Sequence, residues 1–282
     1  MRNSRWQPTL LIRTSIVLHV LALIVIIAEP AQWRWAVGAV LANHALLAVA
    51  GLLPRCHWLG PNWTQLPAAA AARNEIALTI DDGPDPMVTP QVLEILDRYA
   101  ARATFFCIGE KAARYPDLCR EIVRRGHAVE NHSQHHRHYF ALMGCSGFMR
   151  ELQAAQNTLT TITGQRSMFF RAPAGLRNPF LDPVLARLGL QLASWSVRGF
   201  DTRISNVERV TNKLLRGLQA GAIMLLHDGN AARTSHGVPV ILEVLPTVLA
   251  AAAAVQLRFV TLRQATHSGP VSQLAHPVEN PS

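Results

Sequence analysis

The chain has 282 residues and a mass of 31.0 kDa, enough for one sizeable domain and an appendage. Its 49% hydrophobic content is high for a soluble enzyme and points to membrane segments. The formal net charge of +9 suits solvated arginine-rich faces, an anionic surface or a phosphate-bearing substrate; with no basic patch interleaved with exposed aromatics, it argues against nucleic acid.

Two apolar runs without formal charge come first, residues 14–28 and 36–53, separated by the turn "EPAQWR". A spanning helix needs roughly 17–25 residues. The second run meets this, and the first does so if residues 10–12 join it. Trp6, Trp33, Trp35 and Trp58 flank the runs where an aromatic belt would lie. A cleaved leader followed by a core helix is the alternative, but no small-residue cleavage site closely follows Ala28. Residues 1–59 are therefore expected to form a membrane hairpin of two transmembrane helices. Arg2, Arg5 and Arg13 precede the first run, the turn carries Glu29 and Arg34, and Arg55 follows the second run. That count predicts an inner (cytoplasmic) membrane protein with the following domain on the cytoplasmic side. Four cysteines without C-x-x-C spacing agree with a reducing compartment, and Cys107, inside "ATFFCI", reads as a buried thiol.

Residues 60–73 read as a linker. Beyond it, strand-like runs begin at Ile76, Ala103, Ala128, Met168, Leu190, Ala222 and Arg258, with helical periodicity between them. Val92, Leu93, Leu96 and Tyr99 share one helical face behind a Thr89-Pro90 start. Leu118 and Ile122 share another, which ends at Gly126. Such alternation predicts an α/β fold with a parallel sheet, and seven strands predict a (β/α)7 barrel over residues 74–265. Residues 266–282 are polar and proline-containing, and are expected to be a disordered tail.

Ionisable groups gather where these strands end. "DDGP" follows the first, "NHSQHHRH" the third, Arg171 ends the fourth, Asp201 follows the fifth, and His227-Asp228 end the sixth. In α/β folds the C-terminal strand ends form the active face. On a helix His132 and His136 would share a face, while His135 competes through the three-residue spacing and His138 turns away. With a carboxylate from the Asp pair, two histidines make a three-ligand site with an open position, suited to zinc or to non-haem iron. A second adjacent aspartate favours metal-assisted hydrolysis, which needs a neighbouring base. Singly, these residues are also ordinary turn formers, caps and surface arginines; it is their convergence that speaks for catalysis.

"TIDDGP", "HSQHH", "RAPAG", the segment 195–201 and "LLHD" resemble, in order, the five motifs of the polysaccharide deacetylase family of carbohydrate esterases, from about Ile76 to Thr261. The first two and the last are the specific ones. The resemblance implies a distorted (β/α) barrel that removes acyl groups from sugars with a divalent metal: zinc, or alternatively cobalt, nickel or manganese. It implies Asp82, His132 and His136 as metal ligands, Asp81 as general base, Arg171 as the partner positioning Asp81, and His227 as general acid. His135 and His138 become bystanders. A carboxylate such as Asp201 would raise the pKa of His227. Two departures stand out: Thr202 follows Asp201 where the family places a tryptophan, and Arg198 sits nearby, able to meet a phosphate or carboxylate bidentately. The expected substrate is an acylated amino sugar, a glycan or a lipid-linked sugar. A deformylase of a polyprenyl-phosphate-linked amino sugar is the second reading, favoured by a cytoplasmic site. A non-catalytic sugar-binding barrel is the contrasting class, but it should have lost a ligand or the acid, and none is missing.

Overall fold

The computed structural model describes residues 6–266, so Arg2, Arg5 and nearly all of the tail expected at 266–282 lie outside it. Helix α1 (Leu10–Ala28) starts at Thr9, whose hydroxyl accepts from the Ile12 N–H. One 3-10 turn (Pro30–Gln32) reverses the chain into α2 (Trp33–Leu52). At 19 and 20 residues both helices are about 30 Å long, the thickness of a bilayer's hydrocarbon core. Ile16, Val20, Leu23, Ile27, Leu41 and Val49 are exposed, whereas a core helix would hide such residues. Both helices are long and apolar enough to cross a membrane. A polar seam joins them: Asn43 Nδ2 donates to Ser15 Oγ at 2.8 Å, and the His19 and His44 ring nitrogens lie 3.1 Å apart.

The chain after α2 stays against the sheet. Ser194 Oγ and Asn62 Nδ2 both donate to the Pro54 carbonyl, and the Arg177 N–H donates to the Gly51 carbonyl. Within residues 60–73, read as a linker, Trp63 bridges Ala193 and Gln65 bridges Ala222 before α3 (Ala68–Ala71).

Strands and helices then alternate. β1 (Glu75–Gly83) leads through α4 (Thr89–Arg98) to β2 (Ala103–Cys107), and α5 (Gly109–Arg114) with α6 (Pro116–Arg124) leads to β3 (Ala128–Asn131). A long loop and α7 (Cys145–Thr163) precede β4 (Phe169–Phe170), and α8 (Leu181–Leu188) precedes β5 (Gln191–Leu192). β6 (Val197–Arg198), α9 (Val207–Leu215), β7 (Ile223–His227), α10 (Val240–Ala254), β8 (Arg258–Phe259) and α11 (Leu262–Ala265) complete the chain. All pairings are parallel, in the order β5-β4-β3-β2-β1-β7-β6.

This curled parallel sheet agrees with a distorted (β/α) barrel but departs from the expected seven staves in two places. The apolar run at Leu190 is not one strand: the chain breaks at Ser194 to Ser196, so β5 lies at one margin and β6 at the other. No ladder joins them among the described residues, and residues 63–65 occupy the gap by bridging toward both sides. The run at Arg258 is not a stave either, since β8 pairs only with Glu75 and Ile76 at the start of β1.

Alternation along the strands divides two cores. Ile76, Leu78 and Ile80 of β1, Phe105 of β2 and Met224 of β7 pack outward with Val92, Leu96 and Val244 of the helices. Ala77, Phe106, Ile223 and Leu225 face the interior of the curl. The interior series continues through Thr79 to Asp81 and through Leu225 to His227, and these two end residues are register partners. Truncating the fully buried Phe105 to alanine should destabilise the fold by about 3–5 kcal/mol, read as a shift in the urea midpoint. A loss below about 1 kcal/mol would contradict this packing.

Candidate active site

In a regular strand Asp81 and Asp82 would point to opposite faces. A register irregularity between Asp81 and Gly83 breaks the alternation, and Asp82 takes a left-handed backbone with φ of 72°. Bulges re-aim side chains in this way, and an aspartate tolerates the conformation better than most residues. Both carboxylates consequently line one cleft of about 420 Å³ with His132, His136, Trp195 and His227.

Asp81 is held from below. Arg171, at the end of β4, is fully buried, and one of its terminal nitrogens donates to Asp81 Oδ1 and to Thr79 Oγ1, both at 2.7 Å. Its other nitrogens donate to the carbonyls of Ala193 and Ser194 at 3.0 and 2.6 Å. The guanidinium lies 4.2 Å over the Phe106 ring. Burial lowers its pKa and Asp81 opposes that effect. Asp81 Oδ2 stays clear of the arginine, 4.0 Å from His132 Nε2.

The histidine cluster is not helical, which corrects the expected geometry. It forms a loop after β3 in which Ser133 and His136 adopt left-handed backbones, with φ of 63° and 50°. Asn131 Oδ1 accepts from Ser133 N–H, and Ser133 Oγ accepts from His136 N–H. This winding brings both His132 Nε2 and His136 Nε2 to 3.2 Å from Asp82 Oδ1. His135 turns the other way, its Nδ1 lying 2.7 Å from Glu151. His138 borders the mouth of the cleft.

The donor atoms of Asp82, His132 and His136 lie within 4.8 Å of one another. The fit to a cation can be judged from hydrogen bonding. His132 Nδ1–H donates to the Arg171 carbonyl at 2.8 Å, so a neutral ring presents the Nε2 lone pair to the Asp82 carboxylate. Two acceptors facing each other are resolved by a positive ion between them. Burial and His132 lower the pKa of His136 to about 4, so its ring is also neutral near pH 7. Burial would raise the pKa of the Asp82 carboxyl, but the hydrogen bond and charge that His132 supplies when protonated, with the charges of protonated His227 and His136, take it well below the ordinary range, so as pH rises the carboxyl ionises before these rings become neutral. Two neutral imidazoles and one carboxylate suit a divalent metal with an open position.

Residues without a sequence signal also hold Asp82. Asn230 Nδ2 donates to Asp82 Oδ2 at 2.9 Å, and Lys111 Nζ donates to the Asp82 carbonyl at 2.8 Å. Both come from loops or helix starts remote in sequence, where no spacing rule applies. Gly229 permits this close approach, since a Cβ there would sit 2.0 Å from the Asp82 carbonyl oxygen.

His227 faces the same cleft, with Asp201 behind it. Asp201 Oδ1 accepts from His227 Nδ1 at 2.9 Å and Oδ2 accepts from His227 N–H at 2.7 Å, leaving Nε2 as the free ring nitrogen. Burial would lower the imidazolium pKa, but the charge and hydrogen bond of Asp201, aided by Asp81 and Asp82, raise it above its ordinary value. All seven site residues read from the sequence therefore meet at or directly behind one cleft.

The family model for polysaccharide deacetylase matches residues 68–193, ending before Asp201 and His227. A chitooligosaccharide deacetylase from Azorhizobium caulinodans is 38% identical over 165 residues, covering 57% of this chain and 78% of the relative. A peptidoglycan-N-acetylglucosamine deacetylase from Bacillus cereus is 34% identical over 173 residues, covering 61% and 80%. Among solved structures, a family 4 carbohydrate esterase from Streptomyces lividans in complex with acetate superposes with a TM-score of 0.59 at 30% identity, over 66% of this chain and 91% of that one.

Metal retention tests the donor set. After dialysis, Asp82→Asn and His132→Ala should lose bound divalent metal, while Asp81→Asn and His135→Ala should keep it, as read by elemental analysis. Asn230→Ala should weaken metal affinity by about 10–100-fold. Metal loss from His135→Ala, with retention in His136→Ala, would reverse the ligand assignment.

Proposed function

The chain belongs to the polysaccharide deacetylase family, and from that premise we propose that its cleft hydrolyses the N-acetyl amide of an amino-sugar-containing substrate. The observation carrying this reading is the division of labour between adjacent carboxylates: Asp81 is paired with Arg171, whereas Asp82 faces two imidazole nitrogens.

In this reading Asp82, His132 and His136 hold a divalent metal, zinc in preference to cobalt, nickel or manganese. A metal held there supplies Lewis acidity, lowering the pKa of water toward about 7 and offsetting charge on the acyl oxygen. Asp81 is the general base and takes the proton of the attacking water on Oδ2, because Arg171 occupies Oδ1 and fixes the carboxylate. His227 is the general acid and donates from Nε2 to the departing amine nitrogen, which leaves poorly as an anion. Asp201 positions the ring and keeps it protonated for that step. Cleavage of the C–N bond thus needs one group that takes a proton and one that gives a proton, and Asp81 beside Arg171 and His227 beside Asp201 are placed for these opposite tasks.

The reading extends to location. The two apolar helices anchor the catalytic sheet to the inner membrane, and the arginine count (Arg2, Arg5 and Arg13 before the first run and Arg55 after the second, against Arg34 in the turn) favours the cytoplasmic side. A reporter active only outside the cytoplasm, fused after Ser282, should stay silent in a membrane-bound full-length fusion; a strong signal would place the sheet on the outer side.

The activity itself is tested by release of acetate from an N-acetylated amino-sugar oligomer. Release of formate alone, from formylated substrates only, would select the deformylase reading instead. For His227, the raised pKa extends the acid form to higher pH than an ordinary imidazole allows, and activity falls as pH rises through the raised pKa. Asp201→Asn removes the raising charge and leaves burial, so the alkaline limb of kcat should move to lower pH. Turnover near pH 7 should fall on the order of 10²-fold. An alkaline limb that stays in place would contradict the assignment of His227 as acid.

A further inference from the structure

The rim of the cleft carries positive charge for which the hydrolytic reaction has no use. Arg198 and Arg203 both line it beside Trp195 and Thr202. Neither has an acidic partner within 4.0 Å among the described residues, whereas Asp81 is matched by Arg171 and Asp201 by His227.

Arg198 is also held in place. It sits on β6, in register with Leu225 of β7, and its guanidinium lies 5.2 Å from the Trp195 ring centroid and 5.0 Å from that of Phe200. Its Nε is buried and has no hydrogen-bond partner. Unspent buried donors of this kind are rare and call for a reason. Phe200, whose ring lies against Arg198, has a left-handed backbone with φ of 61°, a conformation that bulky residues rarely adopt. The same turn sends the next residue, Asp201, inward to His227. One short segment therefore sets both the acid and an arginine clamped between aromatic rings. A planar fork held in this manner is pre-organised for two-point binding of a carboxylate or phosphate.

We propose that Arg198 and Arg203 form an anion subsite in the cleft, so that the substrate carries a phosphate or carboxylate close to its N-acyl group. The proposal rests on the amidase reading of the cleft, and it narrows the substrate class to acidic amino sugars. The acid group is either a sugar phosphate or a carboxylate borne by the sugar.

Calorimetry on the full chain in detergent, with three probes that lack the acyl group, separates binding from turnover: glucosamine 1-phosphate, muramic acid and methyl glucosaminide. At least one acidic probe should bind tenfold or more tighter than the neutral one. A preference for the first alone identifies phosphate, and for the second alone carboxylate. Arg198→Gln and Arg203→Gln should each reduce the acidic-to-neutral ratio several-fold, and Arg198→Lys, which keeps the charge but loses the fork, should restore it in part. Equal affinity for all three probes overturns the subsite, as does a preference that survives both glutamine substitutions. Hydrolysis of the acetylated forms distinguishes the two readings. Tight acidic binding without acetate release leaves the subsite standing and removes the amidase; acetate release with no acidic preference does the reverse.

Discussion

A guanidinium inside the curl of the sheet constrains everything above it. Arg171 is almost wholly removed from water, and an arginine there is tolerable only if its donors are matched. Asp81 matches its charge, while Thr79, Ala193 and Ser194 take the remaining hydrogen bonds. These partners lie on β1 and just beyond β5, and Thr79 in turn donates to the Met224 carbonyl of β7 at 2.6 Å. Arg171 and Thr79 together thus link strands on both sides of the gap between β5 and β6, where no ladder joins them among the described residues. Breaking such a buried pair by removing one member typically costs about 3–5 kcal/mol, so the pair is both a structural tie and the reason Asp81 has a fixed orientation.

From that tie follows the separation of two chemically identical neighbours. Asp81 remains in register with the interior series and meets the arginine; Asp82, turned by the bulge, meets the histidines. The lateral pairing of Asp81 with His227 then brings the proposed base and acid to adjacent strand ends. The far side of the cleft comes from the turn after β6, with Asp201 buried behind His227 and Phe200 laid over Arg198. The hairpin is part of the same assembly, because the chain leaving it packs on the "RAPAG" loop: a Cβ on Gly175 would meet Pro54 at 2.7 Å.

Much of this was legible in the sequence, and the failures have physical causes. The runs at Ile76, Ala103, Ala128 and Ala222 are strands because both faces are covered, which requires uninterrupted apolar residues. The run at Leu190 misled because Ser194 and Ser196 sit where the sheet opens, and their backbone groups bond to Trp63 and Ile223 instead of to one continuous strand. The segment carrying Trp63 looked like a linker because it is proline-rich and has no periodicity; it is ordered by tertiary bonds that leave no local pattern. His132 and His136 do converge on Asp82, but helical spacing is not what joins them. Side-chain caps from Asn131 and Ser133 wind the loop, and four-residue spacing cannot separate these cases. Asn230 and Lys111 carried no signal at all, since their role depends on which loops meet over Asp82.

The proposed division of labour between Asp81 and Asp82 depends on which of them would contact a bound divalent metal. Anomalous diffraction from a crystal of the zinc-loaded chain measures this directly. The ion should lie about 2.0–2.2 Å from a carboxylate oxygen of Asp82 and from Nε2 of His132 and His136, with Asp81 outside that shell and still bonded to Arg171. An ion coordinated by Asp81, with Asp82 turned away or Arg171 released, would contradict it.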